Sequence, residues 1–323
     1  MLLTLVLVSM TAFFLIQLPP GDYISSYVAA REGQGDFVSQ EEIEAMITEY
    51  DLDRPIHGQY FKWMGRILTE GDFGRSFYYN RPIKDIIWER FALTAIVGLS
   101  ALFITYLVGV PLGIYSSLHQ YSPGDFALTA LGYTGLATPN FLIALVLMYV
   151  AFKFFGTNVS GLFSSKYLEM PWSIGKILNM LNHLWVPAIV LGTAGTAGVI
   201  RITRAMMLDE LRKQYVVTAR AKGLKEQTLI FKYPVRIALN PIVSTIGWQL
   251  TSIISGAPIV AMVLSLPTTG PLMIQALLLQ DMYLAGTFIL LLSSFTVIGT
   301  FVSDMLLAMI DPRIRLDGAA SGN

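Results

Sequence analysis

The stretch from Phe91 to Leu118 runs for 28 residues without a single charged side chain. Nothing else in the sequence constrains the fold as much. A hydrocarbon core about 30 Å thick takes roughly 20 mostly apolar residues of helix to cross. Five further segments meet that requirement or come close to it: Leu2–Leu18, Phe126–Phe155, Leu184–Met207, Ile242–Leu266 and Tyr283–Ile310. The composition agrees, since 54% of the 323 residues are hydrophobic, 14% are charged and the mean hydropathy is +0.58. Soluble domains carry about a quarter charged residues. The expected fold is therefore all-α and integral to a membrane, with six transmembrane helices.

Leu2–Leu18 is the shortest of the six and has a signal peptide as its rival reading. It has no basic residues ahead of it and no small-residue cleavage site before Pro19-Pro20-Gly21, so an anchor is the better reading. Charge then orients the chain. The loop Arg201–Pro241 holds nine Lys/Arg against Asp209, Glu210 and Glu226, a net of +6, in a chain whose formal charge is zero. Pro19–Arg90 holds eight basic and thirteen acidic residues, a net of −5. Basic loops stay in the cytoplasm, so the two regions lie on opposite sides and both termini are cytoplasmic. The expected organisation is a first transmembrane helix over 1–18 and an extracytoplasmic segment over 19–90. A five-helix core over 91–310 contains the basic loop, and a cytoplasmic tail covers 311–323.

The external segment has its own folding signals. Ser39-x-x-Glu42 reads as a capping box, followed by Ile43, Met46, Ile47 and Tyr50 on one helical face. A second amphipathic stretch, Pro55 to Leu68, places Ile56, Tyr60, Trp63, Met64 and Ile67 together, with the aromatic rings suited to the headgroup level. The loop Gly156–His183, with Trp172 and Trp185 nearby, also reads as interfacial. A small packed cap is the simplest reading of the external segment.

Catalytic constellations are missing. The absence of cysteine excludes disulfides and thiolate chemistry, and His57, His119 and His183 are far apart. Asp72-Phe73-Gly74 spells a kinase metal motif without the accompanying Gly-rich and catalytic loops, and Gly175-Lys176 lacks the rest of a phosphate loop. Asn158-Val159-Ser160 matches a glycosylation sequon, a pattern too short to carry weight alone. Of the charges within the apolar segments, Lys153 lies close enough to an end to snorkel. Asp304 invites a structural partner, an arginine of the basic loop being the natural choice, ahead of a role in proton relay.

Small and polar residues say more. Gly192, Gly195 and Gly198 repeat along the fourth segment and permit close helix approach, either for internal packing or as a sliding face. The fifth segment carries Gln249, Ser252, Ser255 and Gly256 before Pro258. A polar, breakable helix of this kind belongs beside protein or a water-filled cavity. With Pro111 and Pro139 in the second and third segments, this pattern points to helices lining a path, and the four polar or small residues are its expected lining. In the basic loop, Met207, Leu211, Tyr215 and Thr218 fall at helical spacing, and Gly223 ends the helix. Glu226 to Leu239 restarts a helix, interrupted at Pro234 and stopped at Asn240-Pro241. A helix–Gly–helix element suits docking in a partner's groove, while a basic loop that only meets anionic lipid is the plainer alternative.

Several stretches together resemble the permease subunits of ATP-binding-cassette importers, specifically the oligopeptide/dipeptide/nickel family. They are Arg201-Ile202-Thr203-Arg204, Tyr215 to Leu224, Glu70-Gly71-Asp72-Phe73-Gly74-Arg75-Ser76, Leu266-Pro267-x-x-Gly270, and Ile310-Asp311-Pro312-Arg313-Ile314-Arg315. The resemblance covers almost the whole chain. It implies a bacterial or archaeal inner-membrane subunit that pairs with a second, similar permease and is fed by an extracytoplasmic solute-binding protein. Two cytoplasmic ATP-binding subunits would use the ATP, and the chain itself would bind no cofactor, no nucleic acid and catalyse nothing. It implies further that Tyr215, Thr218, Ala219, Arg220, Ala221, Lys222, Gly223 and Leu224 form the coupling helix seated on an ATPase.

Val217-Thr218-Ala219 stands where the general importer motif has Glu-Ala-Ala. Ala261 stands where many peptide permeases carry a glutamate able to meet a peptide's amino terminus. Peptides are the slightly favoured cargo, with neutral oligosaccharides as the alternative. An ion-driven secondary transporter would need intramembrane acids and inverted repeats, of which the sequence offers one marginal acid and no convincing repeat.

Overall fold

The computed structural model describes residues 2–17, 23–33, 35, 37–50, 55–76, 78–157, 159–279 and 281–310. Pro19-Pro20-Gly21, Asn158 and the tail Asp311–Arg315 lie outside them, as do the side chains of Met46 and Tyr50. Among the described residues the α-helices are α1 Leu2–Gln17, α2 Tyr23–Glu32, α3 Gln40–Tyr50, α4 Ile56–Glu70, α5 Lys84–Leu118, α6 Pro123–Ala137 and α7 Asn140–Phe155. They continue with α8 Ile174–Leu211, α9 Gln214–Ala221, α10 Glu226–Lys232, α11 Pro234–Ser244, α12 Ile246–Val263, α13 Thr269–Leu278 and α14 Met282–Ile310. The extended backbone contributes one isolated antiparallel bridge, Arg75 to Pro82.

Among the described residues four helices, α5, α8, α12 and α14, are long and apolar enough to cross a membrane. The third expected span is broken: α6 and α7 meet at a 108° bend, and counting the pair as one span gives five. The cause is local. Thr138 precedes Pro139, whose ring drives the preceding residue out of the helical region, and Thr138 accordingly sits at φ −91°, ψ 123°. α1 has 16 residues, about 24 Å at 1.5 Å per residue. Pro258 lies inside α12 without ending it, so the break expected in the fifth segment does not occur. Pro241 likewise lies inside α11 and does not stop it, whereas the interruption expected at Pro234 occurs, α10 ending at Lys232 and α11 opening with Pro234.

The chain divides into two compact units, one comprising 1–95 with 267–297 and the other 96–266 with 298–323. In the first, the core joins Phe13 of α1, Trp63 of α4, Phe73, Ile83 and Ile87 with Ala276, Leu284 and Phe288. Ser39 caps α3 as read from the sequence, its Oγ accepting from the Glu42 amide at 3.2 Å. On α4, Tyr60, Trp63, Met64 and Ile67 face this core, whereas Ile56 is exposed. The Tyr60 ring meets Phe13 edge-on at 5.6 Å and the Trp63 ring lies tilted against it at 5.5 Å, so both pack on this core.

The Glu70–Ser76 stretch is a structural turn of the same unit. Gly71 closes α4 at φ 64°, its amide returning to the Ile67 carbonyl at 3.2 Å and the Asp72 amide to the Arg66 carbonyl at 3.2 Å. The Asp72 carboxylate pairs with Arg66 and accepts from the Gly74 amide at 3.0 Å. Trp63 donates through Nε1 to the Phe73 carbonyl at 3.3 Å. Ser76 then donates to Asp281, a fully buried carboxylate that also accepts from the Tyr78 amide at 3.2 Å and the Leu284 amide at 3.4 Å. The Asp-Phe-Gly triplet thus serves to turn the chain and anchor it at the start of α14.

The Leu266–Gly270 stretch works similarly. The Thr94 hydroxyl accepts from the Thr269 amide at 2.9 Å, satisfying one of the orphan donors that open α13. Replacing Thr94 by valine should leave that buried donor unpaired and cost about 1–3 kcal/mol in a denaturation measurement. Thr94→Ser, which keeps the hydroxyl, is expected to retain most of the stability.

Candidate functional site

The second unit carries both groups of residues singled out from the sequence. α8 ends at Leu211, and the basic loop then turns through α9, Gly223, α10 and α11. These short helices are fixed on a core of their own, formed by Met207, Val216, Ala219, Leu229, Ile230, Val235 and Ala238. Tyr215 adds a peripheral anchor by donating to the Glu210 carboxylate. Burial, then that hydrogen bond and the neighbouring negative charge, pushes the Tyr215 phenol well above its ordinary range.

The eight loop residues fall into two sets. Thr218, Arg220, Ala221, Lys222 and Gly223 are exposed. Ala219 is buried and Tyr215 and Leu224 are half-buried, packed on the loop's own core. A docking surface on this loop is therefore narrower than the sequence stretch: Ala219 supports it from beneath. Gly223 makes the turn at φ 75°, and a side chain there would meet nothing within 4 Å. Arg220 pairs with Glu226 across the turn, which holds the Glu226 carboxyl below its ordinary range. A depressed carboxyl stabilises the folded loop above the ordinary carboxylate pKa, and that contribution is lost as pH falls through the lowered value. The pair is thus intact at neutral pH.

The four residues expected along a path also separate. Ser252 and Ser255 are exposed, on a stripe of α12 with Trp248, Ile259 and Met262 at helical spacing. Gly256 is half-buried. Gln249 is buried against α8, its Nε2 directed at the Gly195 carbonyl at 3.5 Å, and so does not line an open path within this chain. The Gly192 repeat is consumed by internal packing as well. A methyl group at Gly192 would lie 3.0 Å from the Ala101 carbonyl oxygen, and one at Gly195 the same distance from Gln249 Oε1.

Two features were not singled out from the sequence. Arg204 makes a bidentate pair with Asp125, Nε to Oδ1 at 2.9 Å and Nη2 to Oδ2 at 2.8 Å. Ser116 donates to the same carboxylate, and the Tyr121 amide donates to it at 2.9 Å. One carboxylate thereby ties the end of α5, the start of α6 and α8 together. Ser122-Pro123-Gly124-Asp125 was a legible signal, a capping sequence in which Ser122 Oγ accepts from the Asp125 amide at 3.2 Å. The second feature is Gly109-x-x-x-Gly113, a small-residue spacing that brings α5 against Val199 and Thr203 of α8. Asp304, by contrast, is exposed, and among the described residues no arginine of the basic loop pairs with it.

Comparison with known proteins places this arrangement. Residues 109–316 match the family model described as the binding-protein-dependent transport system inner membrane component, and residues 1–98 match the N-terminal model of such membrane components. The oligopeptide transport system permease protein AppB of Bacillus subtilis is 31% identical over 95% of this chain and 94% of its own length. The oligopeptide transport system permease protein OppB of Escherichia coli is 30% identical over 97% and 95%. Among solved structures, an inward-facing form of the MetNI methionine ABC transporter superposes with a TM-score of 0.57 at 13% identity, covering 71% of this chain and 97% of that one, a likeness of fold. The chain thus belongs to the inner-membrane components of binding-protein-dependent transport systems, and is a multi-pass permease subunit of an ABC importer.

Proposed function

We propose that this chain forms half of a translocation path for oligopeptides and transmits ATP-driven motion through the exposed face of α9 and its Gly223 turn. The observation that carries this reading is the seating of α9. A short helix set on its own core and joined to α8 through Arg212-Lys213 moves with that helix, and its Thr218, Arg220, Ala221, Lys222 and Gly223 remain exposed to a partner. The partners are two ATP-binding subunits, which use the ATP, with a second permease subunit and an extracytoplasmic binding protein; this chain holds no cofactor itself. In this reading α1 and the bent α6–α7 pair complete six spans, residues 19–90 lie outside, and both termini lie in the cytoplasm. Ser252, Ser255 and Gly256 line the path, while Gln249 supports it from behind.

Peptides are favoured over oligosaccharides because the relatives that match over nearly the full length are named as oligopeptide permeases. The alanine at 261 does not weigh against this. Ala261 is buried within its own subunit, so its side chain reports on packing and not on cargo. Binding measured on the cognate binding protein should show affinity for short peptides and none for oligosaccharides; the reverse would exchange the cargo.

Gly223 tests the coupling surface. Gly223→Asn keeps a residue that tolerates positive φ, while Gly223→Val adds strain of about 1–2 kcal/mol to a turn with no neighbour to clash with. Both chains should insert in the membrane. Both should lose uptake and binding-protein-stimulated ATP hydrolysis, because each places bulk where an ATPase docks. Undiminished uptake by Gly223→Asn would show that no partner contacts the turn.

A further inference from the structure

Apart from the α9 surface and the α12 stripe, α5, α6 and α8 enclose an apolar groove of about 350 Å³. Its walls include Ile104, Val108 and Leu112 of α5, Leu128 and Leu131 of α6, and Ile200 of α8. A smaller cavity of about 110 Å³ shares Leu128, Gly132, Ala197 and Ile200 with it and is lined by Arg201 and Arg204. The two adjoin along this shared wall as a cleft that is apolar over most of its lining and cationic at one end.

The charges at that end are not equivalent. Arg204 is committed to Asp125 through both Nε and Nη2. Arg201 is exposed, and among the described residues no carboxylate pairs with it. Thr193, which lines the apolar end, spends its hydroxyl on the Ile189 carbonyl at 2.6 Å and offers little to a polar guest. Arg204 lies 15 positions after Ile189 on the same helix, about 22 Å at 1.5 Å per residue. One leaflet, headgroup included, measures roughly 20–22 Å. The cleft therefore has the length, the apolar wall and the terminal cation of a site for a single lipid.

We propose that this cleft binds an anionic phospholipid of the leaflet beside the basic loop, with one acyl chain between α5, α6 and α8 and its phosphate on Arg201. The assignment of that leaflet to the cytoplasmic side rests on the orientation given above; the site itself does not. Basic pockets between membrane helices recognise anionic headgroups by this chemistry. Because the lipid would touch α5, α6 and α8 together, it would be held best in the arrangement that the Asp125–Arg204 pair fixes.

The test uses the purified full-length chain, stripped of endogenous lipid and titrated with phosphatidylglycerol or phosphatidylcholine of identical acyl chains under native mass spectrometry. The unmodified chain should retain one phosphatidylglycerol in preference to phosphatidylcholine. Arg201→Gln should bind phosphatidylglycerol about fivefold more weakly and leave phosphatidylcholine unchanged. Gly132→Leu, where an added Cβ meets only the Ala197 methyl at 3.7 Å, should fill the cleft and abolish retention of either lipid. Equal retention of the two lipids by the unmodified chain, or identical titrations for all three chains, would overturn the site. So would efficient cross-linking of Thr196→Cys, in a chain that has no other cysteine, to a second permease subunit in the assembled transporter. That result would make the cleft a subunit interface.

Discussion

Arg204→Met should cost about 3 kcal/mol or more of stability in detergent, among the largest losses from any single side chain outside the apolar core. The reason lies in the partner left behind. The Asp125 side chain is 4% exposed and cannot turn to water, whereas that of Arg204 is 27% exposed. Removing the cation leaves a buried carboxylate whose remaining partners among the described residues are the Ser116 hydroxyl and the Tyr121 amide. Removing the anion is milder, since the guanidinium can reach solvent. Chemical or thermal denaturation of the purified chain should therefore rank Arg204→Met as clearly worse than Asp125→Asn. The double variant should recover much of the loss, as pairs replaced together usually do. If Asp125→Asn proves as damaging as Arg204→Met, the buried-charge account is wrong. Transport should fall with stability, because the pair links the α6 start to the helix that carries α9.

Gly113→Ala is expected to destabilise the chain by about 1–3 kcal/mol, a large effect for one methyl group. That methyl would sit 2.5 Å from Thr203 Cβ and 2.9 Å from the Ile200 carbonyl oxygen. Neither can rotate away, since one is fixed to the backbone and the other belongs to it. α5 and α8 must then separate, and dispersion contacts along the packed faces weaken together. Gly98, earlier on the same helix, provides the control because an added Cβ there meets nothing within 4 Å. Gly98→Ala should be neutral or gain up to about 1 kcal/mol from helix propensity. Equal losses at both positions in a denaturation series would show that the close approach at Gly113 is not what matters.

Much of the fold was legible because its causes are local. Apolar length marks the long helices, a net charge of +6 marks one loop, and Ser39 and Gly223 mark where short helices begin and end. The bend at Thr138-Pro139 was readable as an irregularity, though not as a 108° break, because a proline's effect depends on what the following helix packs against. Pro258 and Pro241 carry the same chemistry and leave their helices continuous.

The sites divided along the same line. Helical spacing grouped Gln249 with Ser252 and Ser255 as polar residues of one segment, but spacing alone does not say which face meets a neighbour. Packing against Gly195 turned Gln249 inward and left the two serines outside. The same logic buried Ala219 beneath the loop surface and spent Gly192 on Ala101.

By itself, then, the sequence determined that this chain is a membrane protein with a basic helix–Gly–helix loop, since hydrophobicity, charge and turn chemistry act within a few residues. Only the tertiary structure decided that Asp125 would meet Arg204 across 79 positions of chain, and which face of each helix remained open. Such pairings depend on how distant helices return to one another, and that is fixed by close packing at residues such as Gly113, where the absence of a side chain carries the information.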